Sequence, residues 1–313
     1  MTYDSSGDSS QNSNERREVA REKSKTIRVQ HKKKERRNRF LLQGGILVVL
    51  IAIIAIVTLS IVNTIRPAGP GPLNMLSDGI LIEKGLVAVP TAGLAPDATP
   101  EPNVRAADSD VIAIQVYVDY LCGDCGEFSK ANAEQITTWV NTGAATIEIH
   151  PIAILNSHSQ GSQYSTRAAN AAACVANYSA DKFFDFNAAL FADQPVEPST
   201  GLTDPQLIER AKTAGVTNTS EVQKCITDGE FASWVKDATD RALTEAIPNS
   251  DVKSLTNTPT IIVNGIKYPG APSDSVSFAA FVVQAVGTTF NDSATATPTP
   301  VAPSPRPTIK PQK

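Results

Sequence analysis

Cys122 and Cys125 stand three positions apart in "VYVDYLCGDCGEFSK", residues 116–130. At that spacing two cysteines can clip a metal, staple a turn or exchange electrons. The residues before them read as a β-strand and those after as a helix, which puts Cys122 at the junction. There its sulfur meets the unpaired N–H groups and the positive end of the helix dipole, which favour thiolate over thiol and make a nucleophile. Cys125 falls on the same helix face. It can close a small disulfide with Cys122 or attack a mixed disulfide formed there. Cys122 is then the attacking thiol and Cys125 the resolving one. A structural zinc site needs four ligands. The sequence offers no second C-x-x-C, and His150 and His158 lack ligand spacing near another cysteine. No metal is expected, nor any organic cofactor. A purely structural disulfide in so small a loop would restrain the unfolded chain little.

These residues need a scaffold and a compartment. Residues 40–65, FLLQGGILVVLIAIIAIVTLSIVNTI, carry no charge and are bounded by Arg39 and Arg66. As a helix the run would be about 39 Å long, enough to cross a bilayer with some tilt. It exceeds a signal-peptide core, and no A-x-A-type site follows closely, so an uncleaved anchor is expected. Twelve Lys/Arg precede it between Arg16 and Arg39, against six Asp/Glu in the first 39 residues. Only Arg66, Lys84 and Arg105 follow within 40 residues. The positive-inside rule puts residues 1–39 in the cytoplasm, as a disordered basic tail, and everything after Arg66 outside. The remaining 16 Lys/Arg against 26 Asp/Glu make the rest acidic, which argues against nucleic-acid binding. The run "RVQHKKKERRNR" reads as an orientation signal lying against anionic lipid. All four cysteines follow the span, where disulfides are the default state.

Residues 66–109 are rich in Pro, Ala and Gly and read as an extracytoplasmic linker, with a short hairpin possible over 79–89. Residues 291–313 are Thr/Pro-rich and read as a disordered tail. Between them, "VIAIQVYVDY" is apolar on both faces, as a central strand should be. Phe128, Ile136, Trp139 and Val140 recur at helical spacing. "ATIEIHPIAIL" is a second strand with an irregularity at Pro151. A long helical block follows, then "TPTIIVNGIKYPG" as two strands joined at Asn264-Gly265, a strong hairpin signal, then a closing helix. The order is β, α, β, helical block, β, β, α: a mixed sheet flanked by helices, with the block at about 160–250 inserted into it. Cys174 and Cys225 lie in two helices of that block, 51 positions apart, with apolar neighbours. A disulfide between the helices is expected. It would be worth about 4 kcal/mol in the chain-entropy model. Neither sits at a strand–helix junction, so a second catalytic pair is not expected. His158 reads as a solvated loop residue, and Trp139 and Trp234 as core.

"VYVDYLCGDCGEF" resembles the active-site strand and helix of thioredoxin-fold proteins, most closely the DsbA-like thiol-disulfide oxidoreductases. "TNTPTIIVNG" resembles their later segment, where a cis-proline loop faces the active site, and "YSTRAANAAACVA" resembles the first inserted helix of their anchored members. The resemblance covers about 110–290 and implies a thioredoxin-like α/β fold with an inserted helical subdomain, preceded by a single transmembrane helix. It implies that Pro259 is the cis-proline and that Thr258, just before it, offers backbone groups to a substrate chain. It implies exported, Cys-bearing proteins as substrates and a membrane redox partner that reoxidises the dithiol. Where the family carries a buried acid six positions before the first cysteine, this chain has Val116. Asp119, Asp124, Glu127 or water is left to accept the proton of Cys125. Gly123 and Asp124, between the cysteines, are expected to tune the redox potential, Asp124 by raising the Cys122 thiol pKa and weakening oxidising power. The expected activity is disulfide formation in exported proteins. A reductase or isomerase using the same pair, and an anchored binding module with structural disulfides only, remain open.

Overall fold

A segment apolar on both faces, such as IAIQVYV, needs cover on two sides. In the computed structural model it is an inner strand of a six-stranded sheet. The structure describes residues 69–104 and 109–295. The basic tail, the predicted span 40–65 and residues 296–313 lie outside them. Among the described residues no helix is long and apolar enough to cross a membrane.

The strands are β1 (Ile80–Glu83), β2 (Val87–Ala88), β3 (Ile112–Val118), β4 (Ala145–Pro151), β5 (Thr260–Val263) and β6 (Ile266–Lys267). They lie in the order β2-β1-β4-β3-β5-β6. β3 and β4 are parallel, joined through helix α1 (Gly123–Thr142); every other pairing is antiparallel. The β5–β6 turn has positive φ at Asn264 (48°) and Gly265 (85°), the backbone that the Asn-Gly pair supplies. The remaining helices are α2 (Tyr164–Tyr178), α3 (Phe183–Ala192), α4 (Asp204–Thr213), α5 (Thr219–Asp228), α6 (Ala232–Thr244) and α7 (Ser275–Thr295). Helices α2 to α6 are the inserted block, and α7 runs into the stretch expected as tail.

Strand alternation divides the sheet's two faces. Ile114, Val116, Val118, Ile147, Ile149, Ile261 and Val263 point into the main core. There they meet Phe128, Ile136 and Val140 of α1 and Phe278 and Val282 of α7. The Phe128 and Phe278 rings meet edge-on with centroids 5.2 Å apart. Each large apolar side chain so buried contributes about 1.5–3 kcal/mol. On the opposite face Tyr117 and Ile262 pack with Ala242, Ile247, Val252 and Leu255, from α6 and the loop after it.

Residues 69–104 differ from the linker expected of them. The hairpin is present: β1 and β2 pair with each other, and β1 also pairs with β4, extending the sheet. The rest is bonded down, Gly71 N–H to the Leu94 carbonyl at 2.7 Å and Asn74 N–H to Thr91 at 3.0 Å, and Met75 is fully buried. This stretch covers the polar side of β4. Glu148 there accepts hydrogen bonds from Ser77, Asn103 (2.9 Å) and Gln115 (3.3 Å), with His150 Nε2 at 3.5 Å. Burial acts most strongly and alone would raise the Glu148 pKa. The charge of His150 and the donated hydrogen bonds outweigh it and hold the carboxyl at about 2. Arg241 of α6 clasps Asp78 at 2.7 and 2.8 Å, tying the same stretch to the inserted block.

Candidate active site

β3 ends and α1 begins within four residues, and the turn between them is held by its own backbone. Cys122 N–H donates to the Asp119 carbonyl at 3.0 Å, and the Cys122 carbonyl accepts Cys125 N–H at 3.1 Å and Gly126 N–H at 3.3 Å. Cys122 is therefore the N-cap of α1, in extended conformation (φ −68°, ψ 114°), and its sulfur accepts Cys125 N–H at 3.2 Å. A cap with a sulfur acceptor places the one polarisable atom of the turn on the helix's free N–H groups. Both cysteines are free thiols, Cys122 4% exposed and Cys125 1%.

Their environments push them apart. Hydrogen bonding from the Cys125 thiol is the largest effect on Cys122, and the Thr258 side chain and the Cys125 N–H add to it. Together they outweigh burial and hold the Cys122 thiol below its ordinary pKa. Burial, then the neighbouring Cys122, pushes Cys125 well above its own. One sulfur is prepared to attack or leave as thiolate, and the other to keep its proton until it is needed.

Thr258 and Pro259, 136 and 137 positions later, reach the same place. The Thr258–Pro259 peptide is cis, and the Cys122 thiol donates to the Thr258 carbonyl at 3.1 Å. That carbonyl lies at the end of β5, beside β3. The structure thus brings Cys122, Cys125, Thr258 and Pro259 together. Gly123 and Asp124 lie exposed in the first turn of α1. Cys174 of α2 and Cys225 of α5 are joined elsewhere, S–S 2.01 Å with Cα atoms 5.8 Å apart. His158, half exposed in the turn Asn156–His158 after β4, pairs with Glu197.

Of the three acids near the pair, Asp124 and Glu127 are exposed and Asp119 is fully buried. The Asp119 carboxylate accepts N–H groups from Leu121 and Leu155, both at 2.9 Å, so it fixes the redox turn to the loop after β4. Burial raises its pKa despite those bonds. Val116, where relatives are expected to carry an acid, is buried, and with Cys125 and Phe191 it lines a cavity of about 80 Å³. A larger cavity of about 560 Å³ opens at the other end of the sheet, among Glu83, Lys84, Asn103 and Gln115; none of the redox residues lines it.

Two contacts were not visible in the sequence. Tyr120, fully buried beside the turn, donates its hydroxyl to Asn187 at 3.0 Å. Gln194, just after α3, donates its amide to the carbonyls of Tyr120 (3.0 Å) and Cys122 (2.7 Å). No local pattern marks either residue.

The sheet order, the helix capped by Cys122 and the facing Thr258–Pro259 loop agree with a match of the thioredoxin family model to residues 106–282, more than half of the chain. The chain belongs to the thioredoxin family. Among solved structures it is similar to the reduced form of the disulfide bond oxidoreductase DsbG from Mycobacterium tuberculosis. The two are 29% identical with a TM-score of 0.50, over 73% of this chain and 96% of that one. The oxidised DsbA of the same organism is 28% identical with a TM-score of 0.49, over 70% and 100%. The curated serine/threonine-protein kinase PknE of M. tuberculosis is 32% identical over 120 residues. That alignment covers 37% of this chain and spans only 21% of the kinase. Within its family the chain is a DsbA-like thioredoxin-fold protein, carrying at its helix N-terminus the dithiol of the thiol-disulfide oxidoreductases it resembles.

Proposed function

We propose that this protein is a thiol-disulfide oxidoreductase, anchored by residues 40–65 with its catalytic domain outside the membrane, that forms disulfides in exported proteins. The observation that carries the reading is Cys122: a free thiol capping a helix, held below its ordinary pKa and facing the carbonyl of Thr258, with a protonated partner one turn away. With the pair oxidised, a substrate thiolate attacks Cys122 Sγ. The Cys122–Cys125 bond breaks, and Cys125 leaves with the electron pair and takes up a proton. A second substrate thiolate then attacks the substrate sulfur of the mixed disulfide, and Cys122 leaves as the thiolate. The substrate loses two electrons and gains a disulfide; the enzyme gains a dithiol, which a membrane redox partner reoxidises. Beside the thiol, the Thr258 backbone can pair with an extended substrate chain once the Cys122 sulfur is engaged and its hydrogen bond to the Thr258 carbonyl is given up.

The same pair run backwards is a reductase or isomerase. Asp119 favours that second reading, because its buried charge opposes the Cys122 thiolate and a less stable thiolate makes a weaker oxidant. The equilibrium of the 122–125 pair against a glutathione buffer decides between them. A disulfide more easily reduced than that of thioredoxin is the expected result. A value near that of thioredoxin would overturn disulfide formation in favour of reduction.

A further inference from the structure

The Cys122 carbonyl accepts three N–H groups. Two come from its own helix, at 3.1 and 3.3 Å; the third and shortest, at 2.7 Å, comes from the side chain of Gln194. The same amide nitrogen reaches the Tyr120 carbonyl at 3.0 Å. One side chain therefore bridges the Tyr120–Leu121 peptide, before Cys122, and the Cys122–Gly123 peptide, after it. Its amide oxygen lies over Gly126, where an added Cβ would collide with it. Gly126 is thus the notch that lets Gln194 lie on the first turn of α1.

Gln194 is itself held by the inserted block. Its neighbour Asp193 bonds Arg210 of α4 at 2.7 Å. The loop that continues from it is strapped to the far side by Ser162 to the Thr200 carbonyl (2.7 Å) and Arg167 to the Leu202 carbonyl and Asp204 (both 2.8 Å).

Building on the redox reading of the Cys122–Cys125 pair, we propose that Gln194 is a positioning residue. Through its two hydrogen bonds the inserted block sets the geometry of the redox turn and stabilises the Cys122 thiolate. The donor neutralises the negative ends of two carbonyls within two peptides of Sγ. Without it the Cys122 carbonyl loses its shortest hydrogen bond and the Tyr120 carbonyl loses the Gln194 donor, and both dipoles disfavour the thiolate more strongly. A less stable thiolate makes the disulfide harder to reduce.

The test uses the full chain with Gln194→Ala, Gly126→Ala and the double variant. It reads the thiolate titration of Cys122 by ultraviolet absorbance and the equilibrium of the pair with glutathione. Both single variants are expected to raise the titration midpoint and to move the equilibrium toward the disulfide by about fivefold, the equivalent of one net hydrogen bond. The double variant is expected to add nothing further, because Gly126→Ala acts by expelling the same side chain. Folded single variants with wild-type titration and equilibrium would overturn the assignment, and so would fully additive effects in the double variant. If Gln194→Ala does not fold, Gly126→Ala decides alone by the same two readings, since it leaves the glutamine in the chain. Neither reading needs a protein substrate, so this proposal can fail while the oxidoreductase reading stands, and the reverse.

Discussion

The four cysteines form two pairs of nearly equal burial and opposite use. Cys174 and Cys225 are 0% and 1% exposed; Cys122 and Cys125 are 4% and 1%. Burial does not separate them, but their neighbours do. Cys174 lies inside α2 and Cys225 inside α5, past the first turn of either helix, where the unpaired N–H groups are. Cys122 stands between the end of a strand and the first turn of a helix, so the Cys125 N–H reaches its sulfur and the Thr258 carbonyl, just before β5, faces it. One pair restrains the chain and the other exchanges electrons because of where the helix begins.

Removing each pair in turn gives the largest contrast. Cys122→Ser should abolish disulfide exchange with a dithiol peptide and leave the fold intact. Cys174→Ala with Cys225→Ala should keep exchange and lower stability by about 4 kcal/mol in denaturant titration, the chain-entropy value for a loop of 51 residues. Exchange lost along with Cys174–Cys225 in a protein that still folds would break the division between the pairs.

A site remote from both pairs sharpens the contrast. Glu148→Ala removes the acceptor shared by Ser77, Asn103 and Gln115 and should cost about 3 kcal/mol without moving the glutathione equilibrium. The Glu148 carboxyl is depressed to about 2 in the folded protein. Its contribution is therefore present above the ordinary glutamate range and lost as pH falls toward 2. Acid unfolding of the wild type below pH 4.5 should flatten in the variant.

The asymmetry within the redox pair is read by alkylation of the reduced protein. Cys122 should react with iodoacetamide with a midpoint below the ordinary thiol range, while Cys125, buried and raised, should react only on unfolding. The linked stability has the corresponding sign. The lowered Cys122 pKa stabilises the reduced fold above the ordinary thiol range, and the effect disappears as pH falls through the folded value.

Asp124 should give the smallest change. It is exposed in the first turn of α1, so Asp124→His should favour the dithiol by about twofold, the scale of a solvated charge. No change would leave it a helix-start residue only.

What could be read in the sequence was what is local. A C-x-x-C after an apolar strand, Asn264-Gly265 between two short strands, and the Thr-Pro-Thr segment each carry their structure in adjacent residues. Gln194 does not, because its partners lie 72 and 74 positions away and it acts through their backbone, which leaves no mark on their side-chain types. The polar side of β4 misleads for the opposite reason. Glu148 and His150 alternate with Ile147 and Ile149, the pattern of a strand with one wet face. Yet both are buried, because residues 69–104, Pro- and Gly-rich enough to read as linker, fold over them. Asp119 was visible as a nearby acid, but one of its two backbone donors is Leu155, from the loop after the next strand.

The central claim is that Cys122 is the sulfur that bonds to substrates, and that Cys125 is its disulfide partner and the thiol that can attack the mixed disulfide in the reducing direction. Cys125→Ser in the full chain, expressed in cells and analysed without reductant, tests it most directly. The account predicts DTT-sensitive adducts with exported proteins, attached through Cys122 and absent from Cys122→Ser Cys125→Ser. If a folded Cys125→Ser protein accumulates no such adduct, the account is contradicted.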